Sequence, residues 1–317
     1  MPTLTQLEYV LSVERHRHFG KAAKSCHISQ PTLSQQIQKL EEELSLTIFD
    51  RIQKPVLPTE PGKRFLEQAR VVIREHRRLM EISRPKDAGV TGDFRLGIIP
   101  TVASHLVPRF VREFSKKFPE VRLFIDELKT DVILNDIRND RLDGAILATP
   151  LHKSGLKEQP LYYEPFLLYL SKNHPLLRKS VLTPSDLDGS EMWMLNEGHC
   201  FKTQIVNFCS LASSTSAVLK NVHFQSGSLD TLKSLVQRSS GYTMIPALMA
   251  EGLSKAEFRE HVRPFCAPIP TREISLVHRR ESWKAEILRA VAETVVENLP
   301  KGFSSEKKAT ESVLEIC

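Results

Sequence analysis

Residues 29–44 read Ser-Gln-Pro-Thr-Leu-Ser-Gln-Gln-Ile-Gln-Lys-Leu-Glu-Glu-Glu-Leu. The apolar residues of this stretch recur at the spacing of one helix face, at Leu33, Ile37, Leu40 and Leu44. Ser29 is a favourable N-cap residue, and proline is tolerated in the first turn of a helix. The stretch therefore predicts a helix with one buried stripe and a polar N-terminal end.

The polar residues at the start of this helix are of types that bind DNA. Gln, Thr and Ser side chains hydrogen-bond base edges or phosphates, and a recognition helix inserts its N-terminal end into the major groove. We predict double-stranded DNA as the partner, contacted by Gln30, Pro31, Thr32, Ser34 and Gln35. An ordinary helical hairpin has the same periodicity, so the pattern alone leaves that alternative open.

The flanking sequence predicts the rest of a winged helix-turn-helix over residues 1–60. Thr5 to Glu8 has the form of a capping box that opens a first helix, and a short second helix covers 19–26. Residues 48–59 predict a two-stranded wing, and its Arg51 joins the predicted DNA contacts. The N-terminal fold class is therefore all-α winged helix-turn-helix.

A single long helix is predicted from Gly62 to about Arg84, with a stripe of apolar residues from Phe65 to Leu79. We expect this stripe to lack a neighbouring core and to form a dimer seam. Residues 85–92 contain Pro, Lys, Asp and two Gly, which is typical of a linker. Residues 61–91 are therefore predicted to be a linker and dimerisation segment.

The remainder alternates between strand-like and helix-like segments, which predicts an α/β regulatory domain over residues 92–300 with a parallel sheet. We expect two subdomains, the first from 92–163 and 269–300 and the second from 164–268. The chain would then cross between them twice, near 160–165 and 266–272. Residues 301–317 contain few large apolar side chains and are expected to form a flexible tail.

Charge and apolar content narrow the class of protein. The net charge is +6 with a pI near 9.0, and basic residues are concentrated before residue 40 and over 63–78, as suits a polyanionic partner. No apolar run reaches the ~18 to 20 residues of a membrane-spanning helix, and no signal region begins the chain. We expect a cytoplasmic protein.

Five cysteines, an odd number, argue against a structural disulfide framework, and none has zinc-ligand spacing. They are Cys26, Cys200, Cys209, Cys266 and Cys317. We predict no metal and no cofactor. Cys26 and Cys266 are expected to be packing residues.

The N-terminal motifs identify a family. Ala22-Ala23, residues 29–34, Leu40-Glu41, Leu44 and residues 48–51 resemble the DNA-binding domain of LysR-type transcriptional regulators, and the resemblance extends over nearly the whole chain. It implies a regulatory domain like that of periplasmic binding proteins, assembly as homodimers or homotetramers, and action on RNA polymerase at promoters as activator or repressor. It also implies that the chain is not an enzyme. Ser45 departs from the family, which usually has glycine at the left-handed end of this helix.

Further segments resemble the hydrogen-peroxide-sensing members of that family. They are residues 15–19, 99–102, 197–200 and 207–209. The resemblance implies a redox switch in oxidative stress, with Cys200 as peroxidatic and Cys209 as resolving cysteine. It implies a peroxide pocket that contains Thr101, Thr130, His199 and His223, whereas Thr203 stands where the family has an aspartate.

The cysteine pair has a geometric consequence. A helix predicted over 199–212 places Cys200 at its N-terminus, where the helix dipole favours the thiolate, and separates Cys200 from Cys209 by about 13 Å at ~1.5 Å per residue. A disulfide needs Cα atoms within roughly 4.4 to 6.8 Å, so bond formation must refold the segment. A buried, inert Cys200 is the alternative interpretation, just as Thr101 could be a helix cap and His223 a plain strand residue.

Three other functions compete with peroxide sensing. The first is a LysR-type regulator that binds a small organic effector in the cleft of its regulatory domain. A thiol peroxidase is the second, although it would need no DNA-binding module. The third is a solute-binding protein, which would need an export signal.

Overall fold

The computed structural model describes residues 1–82, 89–195, 200–209, 224 and 226–314. It gives the backbone alone for Arg77, Glu81, Ile82, Cys200, Lys202, Thr203, Asn207 and Cys209. The chain divides into two compact units, residues 1–88 and 89–317. Among the described residues, no helix is both long enough and apolar enough to cross a lipid bilayer.

The core of the first unit lies between α1 (Leu4–His16), α2 (Phe19–Ser25) and α3 (Gln30–Leu44). The predicted stripe of α3 is buried at Leu33, Ile37 and Leu40. Ala22 and Ala23 of α2 are buried in the same core, where small side chains let helices approach closely. The predicted helix-turn-helix arrangement is therefore confirmed.

The helix ends follow local hydrogen bonding. The Thr3 hydroxyl accepts from the Gln6 amide at 3.2 Å, and the Gln6 side chain accepts from the Thr3 amide at 3.0 Å. The predicted capping box at Thr5 is therefore wrong by two residues, because both threonines precede Gln or Glu by three positions. Ser29 caps α3 as predicted, and its hydroxyl accepts from the Thr32 amide at 3.2 Å.

Ser45 ends α3 in the left-handed conformation, with φ 49° and ψ 40°. Its amide donates to the carbonyls of Glu41 and Glu42, which closes the last turn. A non-glycine residue pays a small steric penalty there, and the fold tolerates it. Serine in place of the family's glycine therefore raises the free energy of this helix cap slightly and leaves its geometry unchanged.

A short wing follows α3, formed by β1 (Phe49–Asp50) paired antiparallel with β2 (Leu57–Pro58), as predicted. The long helix α4 (Glu60–Ile82) comes next. Its first half packs on α1 through Leu66, Ala69 and Ile73, so the expectation that α4 lacks a core to bury against is wrong. Leu7 and Leu11 of α1 belong to that core.

The second unit begins with the predicted β-α-β-α-β alternation. Its elements are β3 (Gly92–Ile98), α5 (Pro100–Lys117), β4 (Val121–Glu127), α6 (Thr130–Arg138) and β5 (Gly144–Thr149). Strand β3 pairs in parallel with both β4 and β5. The helices bury apolar faces against these strands, and the resulting core belongs to the first subdomain.

Strand β6 (Leu156–Leu170) leads out of this subdomain and into the second one. The second subdomain contains α7 (Cys200–Cys209), α8 (Leu229–Arg238), β7 (Tyr242–Pro246), α9 (Ala247–Ala250), α10 (Lys255–His261) and β8 (Val262–Pro264). Predicted strand 192–195 is wrong in extent, since only Met192 and Leu195 make isolated bridges, to Tyr242 and Ser226. The predicted strand 222–225 lies largely outside the described residues.

Strand β9 (Ile269–Arg279) returns to the first subdomain and is followed by α11 (Ala285–Glu297) and β10 (Glu311–Val313). It pairs antiparallel with β5 and with β6, so the strand order is β4-β3-β5-β9-β6-β7. The expectation of a parallel sheet is therefore only half right, because the two crossing strands run antiparallel to each other and to β5 and β7. Both crossings occur near the predicted positions.

The C-terminal segment is ordered as far as the structure describes it, so the expected flexible tail is wrong for residues 301–314. Strand β10 pairs in parallel with Ile269–Thr271 of β9. Phe303 packs edge-on against Tyr162, with ring centroids 5.8 Å apart. Main-chain pairing holds this segment although it has few large apolar side chains.

We predict that Gly62→Ala destabilises the first unit. A Cβ atom at Gly62 would lie 2.1 Å from the Ile48 carbonyl oxygen, which is rigid backbone between the wing and α3. Relieving such an overlap costs about 1–3 kcal/mol of unfolding free energy. Denaturant unfolding of the full chain measures the loss. Gly252→Ala is the control, because its nearest neighbour would be at an ordinary 3.4 Å; an equal loss in both variants would contradict the packing argument.

Candidate functional site

The polar end of α3 forms an exposed surface in the first unit. Gln30, Pro31, Thr32 and Gln35 are exposed, and Ser34 is half-buried. They lie opposite the buried stripe of the helix, so the side chains predicted to contact DNA share one solvent-facing surface. Their contact with DNA stays a prediction.

Arg51 is held by protein contacts beside this surface. Its Nη2 donates to Glu41 Oε2 at 2.7 Å, its Nη1 donates to Ser34 Oγ at 3.4 Å, and its guanidinium lies 5.3 Å from the Phe19 ring centroid. Glu41 Oε1 also accepts from the amides of Ile48 and Phe49, at 2.7 and 3.2 Å. Sequence reasoning missed Glu41, which ties α3 to the wing and orients Arg51.

The cysteine pair lies on α7, with Cys200 as its first residue and Cys209 as its last. The prediction that one helix carries both cysteines is confirmed, while its predicted extension to Ala212 falls outside the described residues. Nine helical steps separate the two Cα atoms by about 13.5 Å along the axis, at ~1.5 Å per residue. That distance is roughly twice the largest Cα separation of a disulfide.

The described side chains of α7 anchor it in the second subdomain. Phe201, Gln204 and Ile205 are almost completely buried. The Phe201 ring meets Phe166 of β6 edge-on, with centroids 5.3 Å apart. The residue that follows Cys200 is therefore packed against the first crossing strand.

Thr101 lies in the first turn of α5, just after strand β3, and is 4% exposed. Its hydroxyl accepts a hydrogen bond from Arg272 Nη1 at 3.0 Å, and its carbonyl accepts from Nη2 at 3.0 Å. The N-cap position belongs to Ile99, so the alternative that Thr101 is a helix cap is wrong. Thr101 is instead bound to the second crossing strand through Arg272.

Arg272 and Glu164 form a buried ion pair between the two crossing strands, with side chains 1% and 0% exposed. Glu164 Oε2 accepts from Arg272 Nε at 2.8 Å and lies 2.7 Å from Nη2, and Oε1 accepts from the Leu248 amide at 2.7 Å. Hydrogen bonding on this scale is what makes a buried charge pair tolerable. The pair joins Thr101 of the first subdomain to α9 of the second.

The Arg272 guanidinium also faces the aromatic rings beside the cysteine helix. It lies 5.6 Å from the Phe201 centroid and 5.9 Å from that of Phe166. Arg272 thus contacts both the predicted pocket threonine and the neighbour of Cys200. Sequence reasoning missed Arg272 and Glu164, because each strand carries other charged residues and nothing local distinguishes the buried ones.

Thr130 is the first residue of α6 and follows strand β4, as Thr101 follows the neighbouring parallel strand β3. The two threonines therefore belong to the same edge of the sheet, where open α/β sheets bind ligands. Thr130 is 8% exposed, and its hydroxyl has no hydrogen-bond partner among the described residues. Predicted pocket residues His199 and His223 lie outside the described part of the chain, as does the Thr203 side chain.

Burial shifts the pKa of two side chains near the Glu164–Arg272 pair. It lowers the pKa of His105 on α5, with smaller effects from Asp230, Glu164, Arg272 and Arg109. It raises the pKa of Tyr162 well above its ordinary value, with Glu164 acting in the same direction. Both side chains are therefore neutral near pH 7.

The described residues hold no His, Cys, Asp or Glu cluster fit for a metal ion, and Cys26 and Cys266 are free, half-buried thiols.

Two family models match the chain. The LysR substrate binding domain matches residues 87–300, and the lysR-family bacterial regulatory helix-turn-helix protein matches residues 4–63. The second match decides against an ordinary helical hairpin at the N-terminus.

The chain is also similar to named proteins along most of its length. The "Hydrogen peroxide-inducible genes activator" of Haemophilus influenzae is 37% identical, covering 87% of this chain and 90% of that protein. The "DNA-binding transcriptional dual regulator OxyR" of Escherichia coli K12 is 36% identical, with coverages of 87% and 89%. A full-length OxyR variant from Pseudomonas aeruginosa superimposes with a TM-score of 0.79 at 28% identity, covering 94% of this chain and 98% of that one.

We predict that Glu164→Gln destabilises the second unit by about 3–5 kcal/mol, because it leaves the Arg272 charge buried without its partner. Chemical denaturation of the full chain, followed in the second unit, measures the change. Replacing both residues, by Glu164→Leu with Arg272→Met, should cost less than the sum of the single changes. Glu113→Gln removes an exposed pair with Lys116 and should leave the free energy of unfolding nearly unchanged. Equal losses in both glutamine variants would contradict the role of burial.

Proposed function

The chain belongs to the LysR family of bacterial regulatory proteins, and from this we propose that it is a DNA-binding transcription regulator that responds to hydrogen peroxide. The names of its relatives support this proposal, as does the cysteine pair. Its action belongs in the cytoplasm, where promoter DNA and thiol reductants are both present.

The observation that carries the proposal is the position of the two cysteines at opposite ends of α7. A Cys200–Cys209 disulfide is incompatible with that helix, because the Cα atoms start about 13.5 Å apart and must come within roughly 6.8 Å. Oxidation must therefore unwind α7. A bond that only one conformation can form is a means of switching between two states.

The chemistry runs in two balanced steps. The Cys200 thiolate attacks one peroxide oxygen, the S–O bond forms as the O–O bond breaks, and the departing hydroxide takes a proton to leave as water. The Cys209 thiolate then attacks the sulfenic sulfur, and the S–S bond forms as a second water leaves. The N-terminus of α7 favours the Cys200 thiolate. Cellular dithiols reverse the reaction.

The peroxide pocket in this proposal contains Thr101, Thr130, His199 and His223. Support comes from the buried Thr130 hydroxyl, which has no partner among the described residues, and from the Thr101 hydroxyl, which has a proton to donate while accepting from Arg272. Thr203 cannot relay a proton as a carboxylate would. The proton for the leaving oxygen therefore comes from the hydroxyls or imidazoles.

Unwinding α7 would withdraw Phe201 from Arg272 and so alter the junction between the subdomains. Moving a two-state regulator from mostly off to mostly on takes about 5 kcal/mol. A disulfide contributes ~2–4 kcal/mol, and strain in the disfavoured conformation adds to it. One disulfide together with this strain can therefore supply the free energy that the switch needs.

The DNA-binding form is proposed to be a homodimer or homotetramer that contacts RNA polymerase at promoters. The second half of α4 supports self-association, because Val72 (40% exposed) and Leu79 (64% exposed) lie seven residues apart and so share one face. Apolar side chains on one face of a long helix are typical of a helix–helix seam. Two copies would then present two recognition helices to one operator.

We predict that peroxide produces a Cys200–Cys209 crosslink in the full chain, at stoichiometric amounts and within seconds to minutes. Non-reducing peptide mapping detects it, and footprinting on promoter DNA should differ between the two redox forms. Cys200→Ser should abolish the crosslink, while Cys209→Ser should stop at a sulfenic acid on Cys200 that dimedone traps. An unmodified Cys200 after peroxide would favour an organic effector instead. Sustained peroxide consumption with a thiol reductant would favour a peroxidase.

We predict that Gln30→Ala and Gln35→Ala each weaken binding to a duplex selected from random DNA by the unchanged chain. Losing a bidentate base contact costs about 1–3 kcal/mol, which is roughly a 5- to 150-fold loss of affinity. Fluorescence anisotropy at one fixed salt concentration measures it, beside a scrambled duplex. Gln38→Ala is the control, because Gln38 lies one turn further along α3 and donates to Glu42 at 3.0 Å. Equal losses for all three variants, or equal losses on both duplexes, would argue against base recognition.

A further inference from the structure

The C-terminal segment 301–314 lies beyond the part of the chain that matches the LysR substrate-binding model, which ends at residue 300. It nevertheless reaches both parts of the proposed switch. Strand β10 pairs with residues 269–271 of β9, and Val313 is opposite Thr271, immediately before Arg272. The Leu314 amide extends this pairing and donates to the Thr271 carbonyl at 2.9 Å.

The same segment contacts the cysteine helix at its midpoint. Gln204 is fully buried on α7, four residues after Cys200 and five before Cys209, and its Nε2 donates to the Leu314 carbonyl at 2.9 Å. The Leu314 side chain packs against the buried cluster that includes Phe201 and Ile205. The end of β10 is therefore bound to crossing strand β9 on one side and to α7 on the other.

The rest of the segment is mostly exposed, and the Thr310 carbonyl accepts from the Ile269 amide at 2.8 Å where the pairing with β9 begins. Residues 305–310 are exposed, and β10 is three residues long. Upstream, the Ser304 carbonyl accepts from the Tyr163 amide at 2.9 Å, and Phe303 packs on Tyr162. This anchor belongs to the first subdomain and makes no contact with α7 among the described residues. Release of the α7 contacts would leave β10 its short pairing with β9 and remove its hydrogen bond to the second subdomain, while residues 303–304 stay attached.

We propose that residues 305–314 form a redox-coupled strap, which closes on α7 in the reduced protein and is released when α7 unwinds. The inference rests on the proposed disulfide switch. Gln204 lies midway between the two cysteines, within the segment that refolds when their sulfurs join. The hydrogen bond to Leu314 and the Leu314 packing are then lost together.

Linkage makes the effect reciprocal. A strap that binds only the helical form of α7 stabilises the reduced protein. It lowers the equilibrium constant for disulfide formation by the same factor by which the disulfide weakens strap binding. Removing the strap therefore shifts the thiol–disulfide equilibrium toward the disulfide. A lost hydrogen bond and a lost leucine contact together correspond to about a tenfold shift or more.

The test uses the full chain carrying Cys317→Ser. Only two residues separate Cys317 from the 305–314 segment, and a third thiol near the cysteine pair would complicate the assignment of the disulfide. Hydrogen exchange with mass spectrometry follows residues 311–314 in the reduced and oxidised forms. The oxidised fraction in glutathione buffers is measured by peptide mapping for three chains: the parent, Leu314→Ala and a chain that ends at Thr310. Leu299→Ala is the matched control, since Leu299 packs on the core of the first subdomain.

The strap predicts faster exchange at 311–314 after oxidation. In reduced Leu314→Ala and in the truncated chain, it predicts faster exchange at 201–208. The ratio of disulfide to dithiol protein should rise about threefold for Leu314→Ala and about tenfold for the truncation, and Leu299→Ala should change neither the exchange nor this ratio. Persistent protection of 311–314 in a chain whose Cys200–Cys209 crosslink is mapped would overturn the strap and leave the proposed function intact. Failure of the parent to form the crosslink would overturn the proposed function and the redox release together. Unchanged exchange at 201–208 in both reduced variants would overturn the strap independently of any disulfide.

Discussion

The regulatory unit depends on one buried charge pair. Glu164 and Arg272 come from the two strands that cross between the subdomains, and neither side chain reaches solvent. Each would be very costly to bury alone, so each fixes the place of the other. Through the remaining hydrogen-bonding groups, the pair determines where α5, α9 and the start of α7 meet. The junction that a cysteine switch would disturb is therefore a buried, hydrogen-bonded ion pair.

Much of the first unit could be predicted from short-range rules. The stripe from Leu33 to Leu40 follows helical periodicity, Ser29 caps its helix, and Ser45 adopts the left-handed conformation that the helix end requires. These features depend on neighbours within one or two turns. The placement of both cysteines on one helix was predictable for the same reason, since Cys200 to Cys209 is a local segment.

The features that sequence reasoning missed depend on partners distant along the chain. Glu164 and Arg272 are 108 positions apart, and Gln204 meets Leu314 across 110. No local sequence pattern predicts contacts between residues so far apart in the chain. The ordered structure of residues 301–314 was missed because backbone hydrogen bonds to β9 hold this segment. The prediction of a flexible tail used only the types of its side chains. The packing of α4 on α1 was missed because a stripe on a long helix has the same appearance whether its partner is another protomer or the same domain. The four pocket residues remain a proposal, since His199 and His223 lie outside the described residues.

The central position of β9 has a consequence for how the protein is made. This strand fills the gap between β5 and β6, yet it begins at Ile269 while β5 ends at Thr149. At synthesis rates of ~5–20 residues per second, residues 150–268 take roughly 6 to 24 s to leave the ribosome. During that time the nascent chain carries two open strand edges, which are templates for pairing with other chains. The yield of this regulator in a cell therefore depends on shielding during translation as well as on the stability of the finished fold.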